Sequence, residues 1–347
     1  MGKLLKKLKK MNEESGNMVT KGIENYISTG SYAFNGILSG KLIDGGIPCG
    51  RVTSIIGQSS SGKSLLAGMI SANAQKKKYD VIWHDSEKAN SEQFMEGVGC
   101  EWDKVGHSEI YTLEEYRNQM FQLLKEAETE KNPKYLFVLD SLGNLPTKKE
   151  LSDAEKGHDA MDMGLRAKII KSMTRILTGH LAKLDIPYLI LNHGYQDPSN
   201  PMQKRLNPSG GQGVKYISTI MAEMTKSRKR DSQKQITGNI FKMTTTKNRL
   251  VPEEQTAEVL IDYEKGINPY YGLLAYAIDF GFIKQITKIK YTVNHIEGKE
   301  FKVSNIYTPA VWEPIMVELD KLYQEKYKFS SIVMDMDGKE PELLEEG

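Results

Sequence analysis

Apolar residues recur along this chain in two different periods. RVTSIIG (51–57), KYDVIWHDSE (78–87), KYLFVLDS (134–141) and PYLILNH (187–193) are short, nearly unbroken apolar runs. Such runs mark strands buried on both faces. Between them, TLEEYRNQMFQLLKEAE (112–128) and residues 164–184 repeat apolar positions every three to four residues, as amphipathic helices do. VKYISTIMAEMTK (214–226), NIFKMTTTKN (239–248) and TAEVLIDYE (256–264) read as further strands. Strands alternating with helices predict an α/β core: a mainly parallel twisted sheet with helices on both faces. Residues 194–213 show no periodicity and are rich in Gly, Pro, Ser and Asn. A structureless loop that long inside a compact unit is functional or disordered. Leu4, Leu5, Leu8 and Met11 share one helical face, which reads as a short helix docking on a neighbour, or one lying on a membrane surface. After about 270 the pattern turns mixed and aromatic. The expected organisation is an arm (1–30), a core (31–269), a small α+β subdomain (270–332) and an acidic tail (333–347).

Composition narrows the class. Of 347 residues, 39% are hydrophobic and 27% charged, which is ordinary for a globular protein. No apolar run reaches the roughly 18 residues a membrane span needs. Lysines interrupt every apolar stretch near the N-terminus, so no secretory segment is expected. Cys49 and Cys100 are too few for a disulfide framework, and the six histidines lack zinc spacing. A reducing cytosol fits best. The net charge of +2 hides a segregation: residues 1–10 and TKSRKR (225–230) are basic, whereas the segment from Asp335 is acidic.

GQSSSGKS (57–64) has the spacing of a phosphate-binding loop between a predicted strand and a predicted helix. Gly57 and Gly62 let backbone N–H groups turn inward on phosphate oxygens, with Ser60 and Ser61 between them. Lys63 should reach the β- and γ-phosphates, and the Ser64 hydroxyl should bind Mg²⁺. Leu65 lies in the first turn of the helix, whose positive end favours the same anion. Asp140 ends an apolar strand, where a second Mg²⁺-organising carboxylate belongs; a turn or capping role reads the same. Glu87 ends the neighbouring run, where a carboxylate can activate water or can merely be a solvated loop acid.

Four segments carry a family resemblance: ISTGSYAFNGILSGKLIDGGIPCGRVTSIIGQSSSGKS (27–64), DSLGNLPTKKE (140–150), ILNHGYQ (190–196) and GINPYYGLLAYAIDFGF (266–282). Together they resemble the RecA-type recombinase core, in particular its bacteriophage UvsX-type group, over roughly residues 25–290. The resemblance implies a RecA-like fold and ATP with Mg²⁺ as substrate and cofactor. It makes Glu87 the catalytic glutamate and sets Phe94 to stack on adenine, with a core helix position as the plain alternative for Phe94. It makes Asn192 and His193 the polar pair that senses the γ-phosphate, with histidine where RecA itself has glutamine. It projects Lys247 and Arg249 into a neighbouring copy's ATP. Two apart on an extended segment, they would face one side; a solvated strand edge is the plain alternative.

The resemblance also sets two DNA-binding loops, at 151–163 and 194–213. The first brings Met163, Arg166, Lys168, Lys171 and Arg175, of which the last three share a helical face. Met163 would wedge beside bases or sit in the core. The second ends in Ser209, Gly210, Gly211 and Gln212, where glycines permit close approach to a strand. TKSRKR with Lys242 falls where the family receives duplex DNA, or is a charged hairpin; the acidic tail restrains DNA access, or is simply solvated. The function implied is an ATP-dependent recombinase: a helical homopolymer on single-stranded DNA that pairs it with double-stranded DNA and exchanges strands. Residues 1–30 would dock on the next copy, and a loading mediator and a single-strand-binding protein would assist, in a cytoplasm, that of the host if phage-encoded. A ring helicase shares the core but is expected to add an N-terminal domain. A mediator with little turnover is argued against by having both Glu87 and Asp140, and a small-molecule kinase would need a substrate lid.

Overall fold

The computed structural model describes residues 2–14, 22–157, 163–196, 205–209, 212–231 and 233–327. Gly210, Gly211 and the acidic tail lie outside the described residues, as do the side chains of Met163 and Gln212.

The chain opens with α1 (Lys3–Glu14), on which Leu4 is 84% and Met11 54% exposed. Next come β1 (Tyr26–Ile27), α2 (Tyr32–Ser39) and β2 (Ile47–Pro48). The core then alternates: β3 (Val52–Gly57), α3 (Lys63–Lys76), β4 (Asp80–Asp85), α4 (Glu92–Gly97), β5 (Val105–Glu109), α5 (Leu113–Ala127) and β6 (Tyr135–Asp140). After α6 (Lys148–Glu155) and α7 (Met163–Leu184) come β7 (Tyr188–Tyr195), β8 (Asn207–Pro208) and α8 (Gln212–Ile217). Four strands follow: β9 (Ile220–Arg230), β10 (Ile236–Asn248), β11 (Thr256–Asp262) and β12 (Gly266–Asn268). The last segment carries α9 (Leu274–Asp279), a sheet of β13 (Ile283–Thr287), β14 (Lys290–Val293) and β15 (Ile296–Lys302), then α10 (Pro309–Trp312) and α11 (Met316–Tyr327).

In space the main sheet runs β12-β11-β10-β9-β3-β7-β6-β4-β5, with β8 added to β7. It is parallel from β5 to β9 and antiparallel from β9 to β12. Alternation along the strands splits the core into two layers. Leu136, Val138, Leu189 and Leu191 lie on the side covered by α3, in one buried layer that continues to α2 on β10 and β11 and to the C-terminal aromatics Trp312 and Tyr323. Phe137, Leu139, Tyr188 and Ile190 face α5, α7 and α8. With both faces covered, these strands must be apolar throughout, which is why they read as runs.

Three sequence expectations change here. Residues 214–217 are the end of helix α8, not strand: Val214 and Ile217 sit three apart on a face against α7. Gly213 lets that helix press on Ile170, whose Cγ2 would be 2.5 Å from any Cβ. β5 escaped the pattern because it is a mostly exposed edge strand of polar residues. The polar segment at 151–163 begins inside α6, which a Thr147–Glu150 capping box starts.

Candidate functional site

Strand alternation assembles the site. Counting by twos from the core, Asp85, Asp140 and His193 are the next α3-facing positions after Trp83, Val138 and Leu191. The register places Asp85 beside Asp140, and His193 beside Gly57. The C-terminal ends of four parallel strands therefore converge on the start of α3, where ligands of open α/β sheets sit.

Gly57 leads into the phosphate loop, and Gly62 precedes α3 with φ at +95°. A Cβ on Gly62 would lie 2.6 Å from the Phe241 ring, and one on Gly57 2.5 Å from Ser61 Oγ. Ser60 also has positive φ, and its carbonyl accepts from Lys226. The first-turn N–H groups, including those of Ser64 and Leu65, have no intrahelical acceptor and are free to bind an anion. The Leu65 side chain itself packs on the core. Lys63 is buried and folds back on its loop, its Nζ donating to the Gly57 and Gln58 carbonyls at 3.2 and 3.0 Å. Burial lowers its pKa, while Glu87 and Asp140 pull the other way.

Ser64 Oγ donates to Asp140 Oδ2 at 2.7 Å. Asp140 is buried, and burial raises its pKa to about 6, against the lowering effect of the Ser64 bond. Its Oδ1 is buried with no partner. An orphaned carboxylate oxygen beside a hydroxyl fits Mg²⁺, which takes one or two carboxylates with phosphates and waters. Among the described residues no cluster of three acidic, histidine or cysteine ligands exists, so phosphate oxygens and waters would complete any such sphere.

Glu87 lies two residues beyond β4 rather than within it. Asp85 holds it there, accepting the N–H groups of Glu87 and Lys88 at 2.9 and 2.6 Å. Asn90 donates to both Asp85 and Asp140. Sequence reading missed Asp85 and Asn90, although an aspartate two residues before a functional acid is the mark of an Asx turn. Phe94 is 37% exposed on α4, whose N-cap is Ser91.

Glu87 Oε1 meets His193 Nε2 at 2.6 Å. The adjacent Asn192 points to the opposite face of the sheet. Its Oδ1 accepts from Gly143 N–H at 3.1 Å, and its Nδ2 donates to the Ser209 carbonyl at 2.5 Å. Ser209 N–H returns to the His193 carbonyl at 2.7 Å. Gly143, also missed, has no room for a side chain: a Cβ would sit 2.5 Å from Ser209 Oγ.

On α7, Lys168, Lys171 and Arg175 are exposed. Arg166 is not presented with them. Its guanidinium turns inward to the Leu142, Gly143 and Leu145 carbonyls, tying α7 to the segment after β6. The basic hairpin is split as well: Lys226, Arg228 and Arg230 take one face and Lys242, opposite Thr225, the other.

Lys247 and Arg249 flank the end of β10, so the turn rather than strand alternation sets their relation. A bulge between Thr245 and Lys247 moves Lys247 to the face of Met221. There its amine donates to the Lys215 carbonyl of α8. Burial and the charge of Arg249 lower its pKa. Arg249 is exposed.

A family profile for the RecA N-terminal domain matches residues 6–268. The recombination and repair protein of Enterobacteria phage T4 is 31% identical over 249 residues, 71% of this chain and 61% of the phage protein. The match thus spans less than two thirds of that relative's length. The RecA proteins of Chlorobaculum tepidum and Thermotoga maritima are 29% and 25% identical over 75% and 90% of this chain, covering 71% and 86% of their own lengths. A profile match over most of the core, on a sheet whose strand ends gather the phosphate loop, two aspartates and a glutamate, makes this chain a member of the RecA family.

Proposed function

We propose that this protein is a DNA-dependent ATPase that polymerises on single-stranded DNA, pairs it with a homologous duplex and exchanges strands in recombination and repair. One observation carries the reading. At the end of β7, His193 bonds the candidate catalytic base Glu87 while its neighbour Asn192 bonds Ser209 of the second DNA loop. Occupancy of the phosphate site and the order of the DNA loop are therefore set by consecutive residues on opposite faces of one strand, a two-state element both ligands can bias.

The residues divide the work. The loop from Gly57 to Gly62 and the start of α3 grip the phosphates, and Lys63 swings from its own loop carbonyls to the terminal ones. Ser64 and Asp140 would hold Mg²⁺, which supplies charge neutralisation on the phosphates when bound. Glu87, released from His193 by the γ-phosphate, orients the attacking water and takes its proton. Phe94 packs on the base. Lys247 and Arg249 act on the ATP of the adjoining copy, and the arm at 1–30 docks there, a heterologous contact that builds an open helix. Lys168, Lys171, Arg175 and the segment at 209–212, with Met163, face DNA phosphates and bases. Arg166 serves this surface indirectly, by fixing the loop beneath it. The protein would act in the cytoplasm, with a loading mediator and a single-strand-binding protein; among the described residues no helix is long and apolar enough to cross a membrane.

The test is DNA affinity with a non-hydrolysable ATP analogue against ADP, together with DNA-stimulated turnover. Tighter binding with the analogue and turnover that rises with single-stranded DNA are expected. Equal affinities and DNA-independent turnover would refute the reading. Electron microscopy of the same samples separates open filaments from the closed rings of a helicase.

A further inference from the structure

Asn248 lies between Lys247 and Arg249 and is the only one of the three that is buried, at 5% exposure. Its side-chain amide satisfies two donors and two acceptor sites. Nδ2 donates to the Ile37 and Leu38 carbonyls at 3.0 Å each. Oδ1 accepts the Leu250 and Val251 N–H groups at 2.8 and 3.3 Å. Its own N–H donates to Glu253 Oε1 at 3.1 Å. Ile37 and Leu38 lie in the last turn of α2, where helix carbonyls lack intrahelical donors. Gly40 follows with φ at +76°, and a Cβ there would be 2.7 Å from Val251 Cγ1. The turn after β10 is thereby fastened to the end of α2 by one amide that has no spare hydrogen-bonding capacity.

We infer that Asn248 is a positioning residue for ATP hydrolysis in the neighbouring copy: it fixes the backbone from which Lys247 and Arg249 project. The inference rests on the proposed role of those two cations. Arg249 stands on the first residue of the turn and is exposed, so the backbone under it is its main fixed reference. Without those bonds the turn would be free to rotate and carry the guanidinium with it. Misplacement by about 1 Å can cost about 10²-fold in rate. Asn248 touches no phosphate, so its loss should leave the ATP site of its own copy whole.

That asymmetry supplies the test. Asn248→Ala and Asn248→Asp each remove the donors to α2; the aspartate keeps the size and the acceptor. Each full-length variant alone should lose about 10²-fold in DNA-stimulated kcat, with KM for ATP little changed. Each is then mixed one to one with Glu87→Gln, which keeps an intact turn but lacks the water-orienting acid. Where a copy bearing the Asn248 change meets the turn of a Glu87→Gln copy, a complete site forms, so the mixture should regain about a quarter of wild-type turnover on random assembly. A misfolded subunit could not do this. Lys247→Ala mixed with Glu87→Gln is the control. If the control recovers and both Asn248 mixtures stay inactive, the positioning role is overturned. If the control fails too, the supply of cations across the interface is refuted, and this inference with it.

Discussion

Asp140 is buried with one carboxylate oxygen unpartnered, so its charge is carried at a cost. A carboxyl that titrates near 6 instead of the ordinary 3.8 is about 3 kcal/mol harder to ionise in the fold than in the unfolded chain. The unfolded state thus releases its proton first, and stability is lost as pH rises from 3.8 to about 6. Asp140→Asn removes that cost. The amide oxygen can still accept from Ser64, and the amide nitrogen takes the place of the unpartnered Oδ1, so charge is the main difference. Without nucleotide, the variant should be more stable than the parent by about 3 kcal/mol at pH 7.5 and by about half that at pH 5. The gain should vanish well below pH 3.8. At roughly 1–2 °C in Tm per kcal/mol for a chain of 347 residues, the difference is readable by scanning calorimetry. With Mg²⁺-ATP at a hundred times Kd, the parent should gain about 2.7 kcal/mol and the variant little. A variant that is no more stable than the parent at pH 7.5, or whose advantage does not shrink with acid, would refute the buried-charge account.

Other outcomes follow from the same contacts. Glu87→Gln should abolish turnover while keeping ATP-dependent assembly on DNA, as read by phosphate release and light scattering; unchanged turnover removes Glu87 from the chemistry. Gly143→Ala should push Ser209 and Asn192 apart. Hydrolysis without DNA should persist in that variant, but the preference of DNA binding for the ATP analogue over ADP should fall at least tenfold. Replacing Lys168, Lys171 and Arg175 together with alanine should reduce the slope of log K against log salt for single strands by about 2. Arg166→Ala should instead lower thermal stability, because it strips three carbonyls of their donor.

Much of this was legible in the sequence because it depends on strand ends. β6 is apolar from Leu136 until Asp140 and β7 from Leu189 until Asn192, so the polar side chains at their C-terminal ends mark where the site lies. Asp140 was found that way, and the Gly57–Ser64 loop by its own spacing of glycines, lysine and serine. What was not legible depends on which way a residue points. Arg166 shares a helix with Lys168, Lys171 and Arg175, and only the 142–145 segment beneath it turns it inward. The sequence spacing of Lys247 and Arg249 suggested one face, but a bulge and a strand end intervene. Asp85 had a local signal in its Asx spacing to Glu87, whereas the parts played by Gly143 and Asn248 are visible only in what packs against them. α8 hid because Val214 and Ile217 are as apolar as a strand would be.

The central claim is that ATP is held at the seam between two copies, so that assembly and hydrolysis are one event. A cryo-EM map of the protein polymerised on single-stranded DNA with Mg²⁺ and a non-hydrolysable ATP analogue tests it directly. The account predicts an open helix with Lys247 and Arg249 of each copy against the phosphates gripped by the next copy's Gly57–Ser64 loop. A closed ring, or nucleotide with no side chain of the adjoining copy beside it, would contradict the account.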